Sequence, residues 1–254
     1  MMKEKTNKAY FRFYEELNDF LPPKRRKVKF EHRFVGNASV KDMIESLGVP
    51  HSEVDLILVN GVSVEFNYLV KNEDLISVYP VFESIDISDV QHLRPKPLRN
   101  PKFILDVHLG KLAKLMRILG FDTLYENDYN DEQIVKISKE EKRTILTRDI
   151  GILKRNEVTH GYFVRNIKAE KQIIEIIERF NLHKLINPFS RCLECNDLLE
   201  PIEKETVINR LPAKVKESQK RFWICKQCNK IYWRGTHYEN MSRVLAILNI
   251  KNLK

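Results

Sequence analysis

The 254-residue chain is 43% apolar and 31% charged, an ordinary balance for a protein that buries a core in water. Its apolar runs, such as residues 244–248, fall far short of the ~20 residues a bilayer span needs, and the opening MMKEKTNK carries no apolar signal core, so a cytoplasmic protein with no membrane partner is expected. The net charge of +9 is uneven: the first 88 residues hold an excess of two negative charges and the remainder an excess of 11 positive ones, which suits a chain that binds a polyanion.

Tyr10, Phe11 and Phe13 mark a first strand, 21-LPPKRR-26 a turn, and 28-VKFEHRF-34 a returning strand with Val28, Phe30 and Phe34 on alternate positions. Ser39 is placed to cap a helix over residues 40–48 that Gly48 ends. Then 54-VDLILVNG-61 reads as a buried strand running to an Asn-Gly hairpin turn, and Val62–Phe66 and Leu75–Tyr79 complete a ββαβββ order. That order is a β-grasp, and VDLILVNGVSVEFNYLVKNEDLISVYPVF resembles the ubiquitin-like sulfur carriers. Such carriers work through a free Gly-Gly tail, whereas this chain continues as VFESIDISDV. The expectation for residues 8–83 is therefore a binding or regulatory module with a protein partner. Residues 84–101 read as a linker, on the three prolines and the lack of periodicity from residue 87 onward.

From residue 102 short apolar runs alternate with helix-period segments. Phe103–Leu105 is broken by Asp106, 144-TILTR-148 is broken by Asp149, and Phe121–Tyr125 is followed by Asp128 and Asp131. Leu109, Leu112, Ala113, Met116 and Leu119, then Ile134, Val135 and Ile137, have helical spacing, so the order is βαβαβ and the sheet is expected to be parallel. Asp106, Asp131 and Asp149 fall at the carboxyl ends of its strands, the edge where such sheets bind ligands. Clustered carboxylates need a compensating cation, and an oxygen-only donor set favours Mg²⁺ or Mn²⁺, with Asp128 as a further ligand. Lys111, Lys114 and Arg117, spaced i, i+3, i+6, form a basic helix stripe for a phosphate backbone, although the same spacing describes a solvated face.

The runs FILDVHLGKLAKLMRILGFDT, NDEQI and ILTRD, taken in order, make residues 100–240 similar to the PIN-like ribonucleases, and specifically to the Mut-seven C-terminal RNase family. The resemblance implies that Asp106, Asp131 and Asp149 form the acidic site of a nuclease core over residues 102–187, with Arg148 beside it. It also implies RNA hydrolysis by two divalent ions. PIN nucleases commonly carry a fourth acid after a further strand, whereas 162-YFVRN-166 ends here in Arg165 and Asn166. The alternative is a non-catalytic RNA-binding adaptor built on a degenerate nuclease core.

All four cysteines occur as Cys192-x2-Cys195 and Cys225-x2-Cys228, with 29 residues between the pairs. Two such knuckles close a tetrahedral Cys₄ structural zinc site, expected within a ribbon over residues 188–250. Between them runs a long polar excursion. Its end and the sequel interleave basic residues, Arg221 and Arg234 among them, with Phe222, Trp223, Tyr232 and Trp233, a mixture that suits contact with RNA; at least two of these rings are expected to pack the ribbon instead. Residues 238–250 read as a closing helix. The expected architecture is thus a multi-domain α/β chain: an N-terminal β-grasp, a central PIN-like parallel α/β core and a C-terminal zinc ribbon.

Overall fold

The computed structural model describes residues 6–80 and 101–233, so nearly all of the expected linker, the expected closing helix and Arg234 lie outside the described residues. The elements, in chain order, are β1 (Thr6–Phe13), β2 (Phe30–Val35), α1 (Val40–Ser46), β3 (Val54–Val59), β4 (Val62–Ser63) and β5 (Leu75–Pro80). Then come β6 (Phe103–Leu105), α2 (Gly110–Ile118), β7 (Thr123–Leu124), α3 (Asp131–Glu141), β8 (Thr144–Thr147), α4 (Ile150–Leu153), β9 (Gly161–Phe163) and α5 (Ala169–Arg179). The last group is β10 (Leu199–Ile202), α6 (Lys204–Val207), α7 (Ala213–Ser218), β11 (Phe222–Cys225) and β12 (Ile231–Trp233). Among the described residues two compact units result, residues 6–80 with 135–163 and residues 101–134 with 164–233.

In the first unit β1 to β5 form one sheet in the order β2-β1-β5-β3-β4, with β1 parallel to β5 and antiparallel to β2. This is the β-grasp expected from the element order. The two-residue period of β1 decides which side is buried: Ala9, Phe11 and Phe13 enter the core, and Lys8, Tyr10 and Arg12 take the other face. Phe11, Phe13 and Phe30 stack in that core with α1 supplying Val40, Met43 and Ile44. Ser39 caps α1 by accepting from the Asp42 N–H at 3.1 Å. Asn60 and Gly61 both have positive φ, 52° and 84°, as the Asn-Gly hairpin between β3 and β4 requires.

The same unit includes chain from the far side of the sequence. Ser52 Oγ donates to the Leu153 carbonyl at 3.0 Å, Glu53 accepts the Phe163 N–H, and Lys154 Nζ donates to the Glu45 carbonyl at 2.8 Å. Ser52 and Glu53 are each 1% exposed, and Phe20 meets Phe163 edge to face. These are buried polar residues with partners on β9 and α4, and burial without such partners would cost about 1–3 kcal/mol for each group.

Strand β6 pairs parallel with β7 in the second unit, and β8 pairs parallel with β9 in the first. In the second unit α2 buries Leu112, Ala113 and Met116, α5 buries Ile173, Ile176 and Ile177, and Phe103 meets Phe180 edge to face. Each of those isoleucines contributes roughly 1.5–3 kcal/mol of burial. The ribbon is a three-stranded antiparallel sheet in the order β10-β11-β12. Val207, Leu211 and Phe222 give it a small core of its own, against which Val215, Ile231 and Trp233 pack. No helix among the described residues is long and apolar enough to cross a membrane.

Candidate active site and cysteine centre

Asp106 directly follows β6, is 5% exposed, and stands at the start of a single 3₁₀ turn to which its side chain makes no cap bond. A capping role therefore does not account for this buried carboxylate. Asp131 is the first residue of α3, but the cap is made by its neighbours: Asn130 Oδ1 accepts from the Gln133 N–H and Gln133 Oε1 from the Asn130 N–H, both at 2.9 Å. Asp128 is exposed on the loop before that helix. Asp149, two residues beyond β8, is exposed and caps α4, its Oδ1 accepting the Gly151 N–H at 2.6 Å. Arg148 is exposed, with its guanidinium 5.9 Å from the centre of the Phe163 ring. Asp106, Asp128 and Asp131 belong to the second compact unit, Arg148 and Asp149 to the first.

In the second unit a groove of about 930 Å³ is lined by His108, Lys111, Lys114, Arg117, Tyr125 and Lys168, among others. Lys111 and Lys114 are exposed there. Arg117, on the same helix stripe, is not: it is 3% exposed, and its guanidinium donates to the carbonyls of Thr123 (2.9 Å), Tyr125 (3.2 Å), Leu193 (3.0 Å) and Glu194 (2.6 Å). Burial lowers its pKa, which the carboxylate of Glu126 and the nearby cysteines partly restore. Arg117 is therefore a strut between the β7 loop and the first cysteine knuckle, whereas the sequence spacing had placed it among the RNA contacts. Lys168, at the start of α5, and Tyr125, whose hydroxyl donates to the Val107 carbonyl, join the groove from elements that the helix stripe does not include. Tyr125 lies so close to Gly110 that a Cβ there would come within 2.6 Å of its hydroxyl.

The four cysteine sulfurs lie within 4.8 Å of one another, with Sγ–Sγ separations of 3.5 Å for Cys192–Cys228 and 3.3 Å for Cys195–Cys225. Those separations exclude a disulfide and approach the ~3.8 Å edge of a tetrahedron built on 2.3 Å metal–sulfur bonds. Each knuckle has the same local form. Asn196 and Asn229 take left-handed φ values of 69° and 58°, and their N–H groups donate back to Cys192 and Cys225. The repeated Cys-x-x-Cys-Asn in the sequence is the signal for that turn, since Asn tolerates positive φ. Burial raises the Cys192 thiol, but the N–H groups of Cys195 and Glu194 and the Tyr232 hydroxyl outweigh it and bring the pKa down to about 7. Burial pushes Cys195 up to about 12.

The ribbon aromatics have structural tasks. Phe222 is core, Trp233 packs against it, Trp223 stacks on Phe189 at 6.2 Å, and the Tyr232 hydroxyl meets Cys192 Sγ and accepts the Leu193 N–H. Asn196 also ties the knuckle to β7, accepting from the Thr123 N–H and donating to Asp122, to which Arg191 bonds as well. Arg221 is exposed beside β11.

Two family comparisons cover the chain. The Mut7-C RNAse domain matches residues 101–245, more than half of the sequence, and the Mut7-C ubiquitin domain matches residues 6–86. The chain belongs to the Mut7-C RNase family. No curated protein and no solved structure matches it. The Mut7-C RNase match contains all three aspartates at strand and helix ends, the lysine-lined groove and the four cysteines; the Mut7-C ubiquitin match contains the five-stranded sheet.

Proposed function

We propose that the protein is a Mg²⁺- or Mn²⁺-dependent ribonuclease whose divalent ions are held by Asp106, Asp131 and Asp149, with Asp128 as a further ligand. The observation that carries this is Asp106, a carboxylate 5% exposed at the end of a parallel strand and not used as a helix cap, within a Mut7-C RNAse domain. Carboxylate oxygens offered from several strand and helix ends are the donor set that suits Mg²⁺ and Mn²⁺. A pair of such ions, when bound, would supply Lewis-acid stabilisation of the charge that develops as a phosphodiester is hydrolysed. Arg148 would neutralise part of that charge, and Lys111 and Lys114 would hold the flanking phosphates. The four cysteines hold a structural zinc ion in the same proposal, with the ribbon and Arg221 assisting RNA binding. By sequence the parts are the ubiquitin-like module over residues 8–83, the nuclease core over 102–187 and the ribbon over 188–250.

Full-length protein incubated with single-stranded RNA and DNA, with and without Mn²⁺, tests the reading. Metal-dependent RNA cleavage is expected, and Asp106→Asn and Asp149→Asn should each abolish it. Cleavage that survives both substitutions would overturn the assignment. The adaptor reading has one specific support: the chain after β9 reads Val164, Arg165 and Asn166 with no acid, and the carboxylate that Glu175 brings there is occupied by the Arg165 and Asn166 N–H groups at 2.7 and 2.9 Å. An adaptor would bind RNA and cleave none.

A further inference from the structure

The face of the ubiquitin-like sheet opposite its core carries a row of tyrosines flanked by cations. Along β1 and its extension the outward positions are Lys8, Tyr10, Arg12 and Tyr14. Tyr79, from β5, stacks on Tyr14 with ring centres 4.2 Å apart and planes 12° from parallel. Lys29 lies 5.6 Å from the Tyr10 ring centre and Arg12 lies 5.0 Å from that of Tyr14, while Lys8 Nζ donates to the Tyr10 hydroxyl at 3.0 Å. All three contacts fall between residues 8 and 29. None of this is needed for the core, which the alternate residues Ala9, Phe11 and Phe13 complete.

Of the charges named on this face four are basic, Lys8, Arg12, Lys29 and Arg33, and two acidic, Glu31 and Glu73. Lys8 pairs with Glu73 and Arg33 with Glu31, both in solvent, where a phosphate can replace the carboxylate at little cost. Among the described residues Arg12 and Lys29 pair with no carboxylate. The N-terminal 88 residues are slightly acidic as a whole, so cations gathered around aromatic rings on one face are a local feature rather than a reflection of composition.

We propose that this sheet face binds single-stranded RNA, with bases stacked on Tyr10 and on the Tyr14–Tyr79 pair and phosphates held by Arg12, Lys29 and Arg33. A pleated surface with aromatic rings standing among basic residues is the chemistry that holds unpaired bases, because every base has a face to stack and every nucleotide a phosphate. A helical duplex, whose bases are already stacked on each other, gains nothing from the tyrosines. The role rests on the ribonuclease reading only for the choice of RNA over another single-stranded nucleic acid.

Fluorescence anisotropy of a labelled single-stranded oligouridylate, with full-length protein and no added Mg²⁺ or Mn²⁺, tests it. Tyr10→Ala and Tyr14→Ala should each weaken binding on the order of tenfold, Tyr14→Phe should bind as the wild type does, and Arg12→Gln should lower the salt slope by about one. Binding of an RNA duplex of equal length should be unchanged by the tyrosine substitutions. Wild-type affinity in both alanine variants, an equal loss for single strand and duplex, or a Tyr14→Phe loss as large as that of Tyr14→Ala would overturn the proposal. So would displacement of the RNA by a polyglutamate peptide at equal concentration, which would mark the face as a docking site for acidic protein. The readout is binding, so a loss confined to the tyrosine variants stands even if the chain cleaves nothing, and cleavage without that loss refutes the sheet-face proposal alone.

Discussion

Replacing Arg117 by alanine removes one side chain that four carbonyls share. A hydrogen bond from a charged donor is worth ~1.5–3 kcal/mol, and more is lost where water cannot replace it. Only the bond to Thr123 is wholly buried; those to Tyr125, Leu193 and Glu194 are half-buried, where water can take over as donor. Counting the first in full and the other three at about 0.5 kcal/mol each gives a loss of about 3–4.5 kcal/mol. Both tryptophans of the chain, Trp223 and Trp233, sit in β11 and β12, so urea unfolding followed by tryptophan emission reports the ribbon. At a slope near 2 kcal/mol per molar urea, the midpoint should fall by roughly 1.5–2 M. Arg117→Lys should recover less than half, since a single ammonium cannot replace a planar fork of five donors. Leu193 and Glu194 are the two residues spanned by Cys192 and Cys195, so loss of zinc to a chelator should also quicken. A midpoint shift below about 0.5 M would mean that the guanidinium does not brace the knuckle, and the reasoning would fail.

Gly120 has a φ of +91°, and a Cβ there would lie 2.1 Å from the Asn187 carbonyl oxygen, so Gly120→Ala should cost about 2–4 kcal/mol by thermal denaturation. On the proposed zinc assignment, Cys228→Ser should lower the zinc content found by metal analysis and shift the tryptophan transition to lower urea, because a closed Cys₄ site contributes folding energy directly. His51 is 7% exposed, and burial, with Lys41 beside it, lowers its pKa below 6.5 against the opposing pull of Glu45. Above pH 6.5 neither the folded nor the unfolded chain protonates it appreciably; below that value the unfolded chain takes the proton first, so stability is fully present above pH 6.5 and declines as the pH falls through the window beneath it. His51→Gln should flatten that part of a stability–pH curve measured by urea titration, and an unchanged slope would assign it elsewhere.

The β-grasp was legible because alternation along β1 and the Asn-Gly pair are local signals, and Ser39 and Gly48 bracket α1 as their residue types demand. The parallel core was legible from the alternation of short apolar runs with helix-period segments, which is also a local signal. The paired cysteines came from spacing alone. Other features were hidden by sequence distance. The acceptors of Arg117 in the knuckle lie 76 and 77 residues away, so its stripe with Lys111 and Lys114 reads the same whether the side chain is solvated or buried. Lys168 reaches the groove from a helix start with no periodic link to α2. The polar stretch after Cys195 conceals β10, α6 and α7, because so small a ribbon needs few apolar residues, and Val207, Leu211 and Phe222 are too sparse to show a period.

The seam formed by Ser52 and Glu53 has a consequence for biosynthesis. Their partners, Leu153 and Phe163, leave the ribosome about a hundred residues later, so this polar seam closes only after the sheet, whose core lies wholly within residues 9–78, has been made. A fragment ending near residue 88 would expose to water two polar side chains shaped for a strand and a helix turn that it lacks. The seam of the ubiquitin-like unit is therefore sealed by chain from the Mut7-C RNase match, and translation of the second part caps the first.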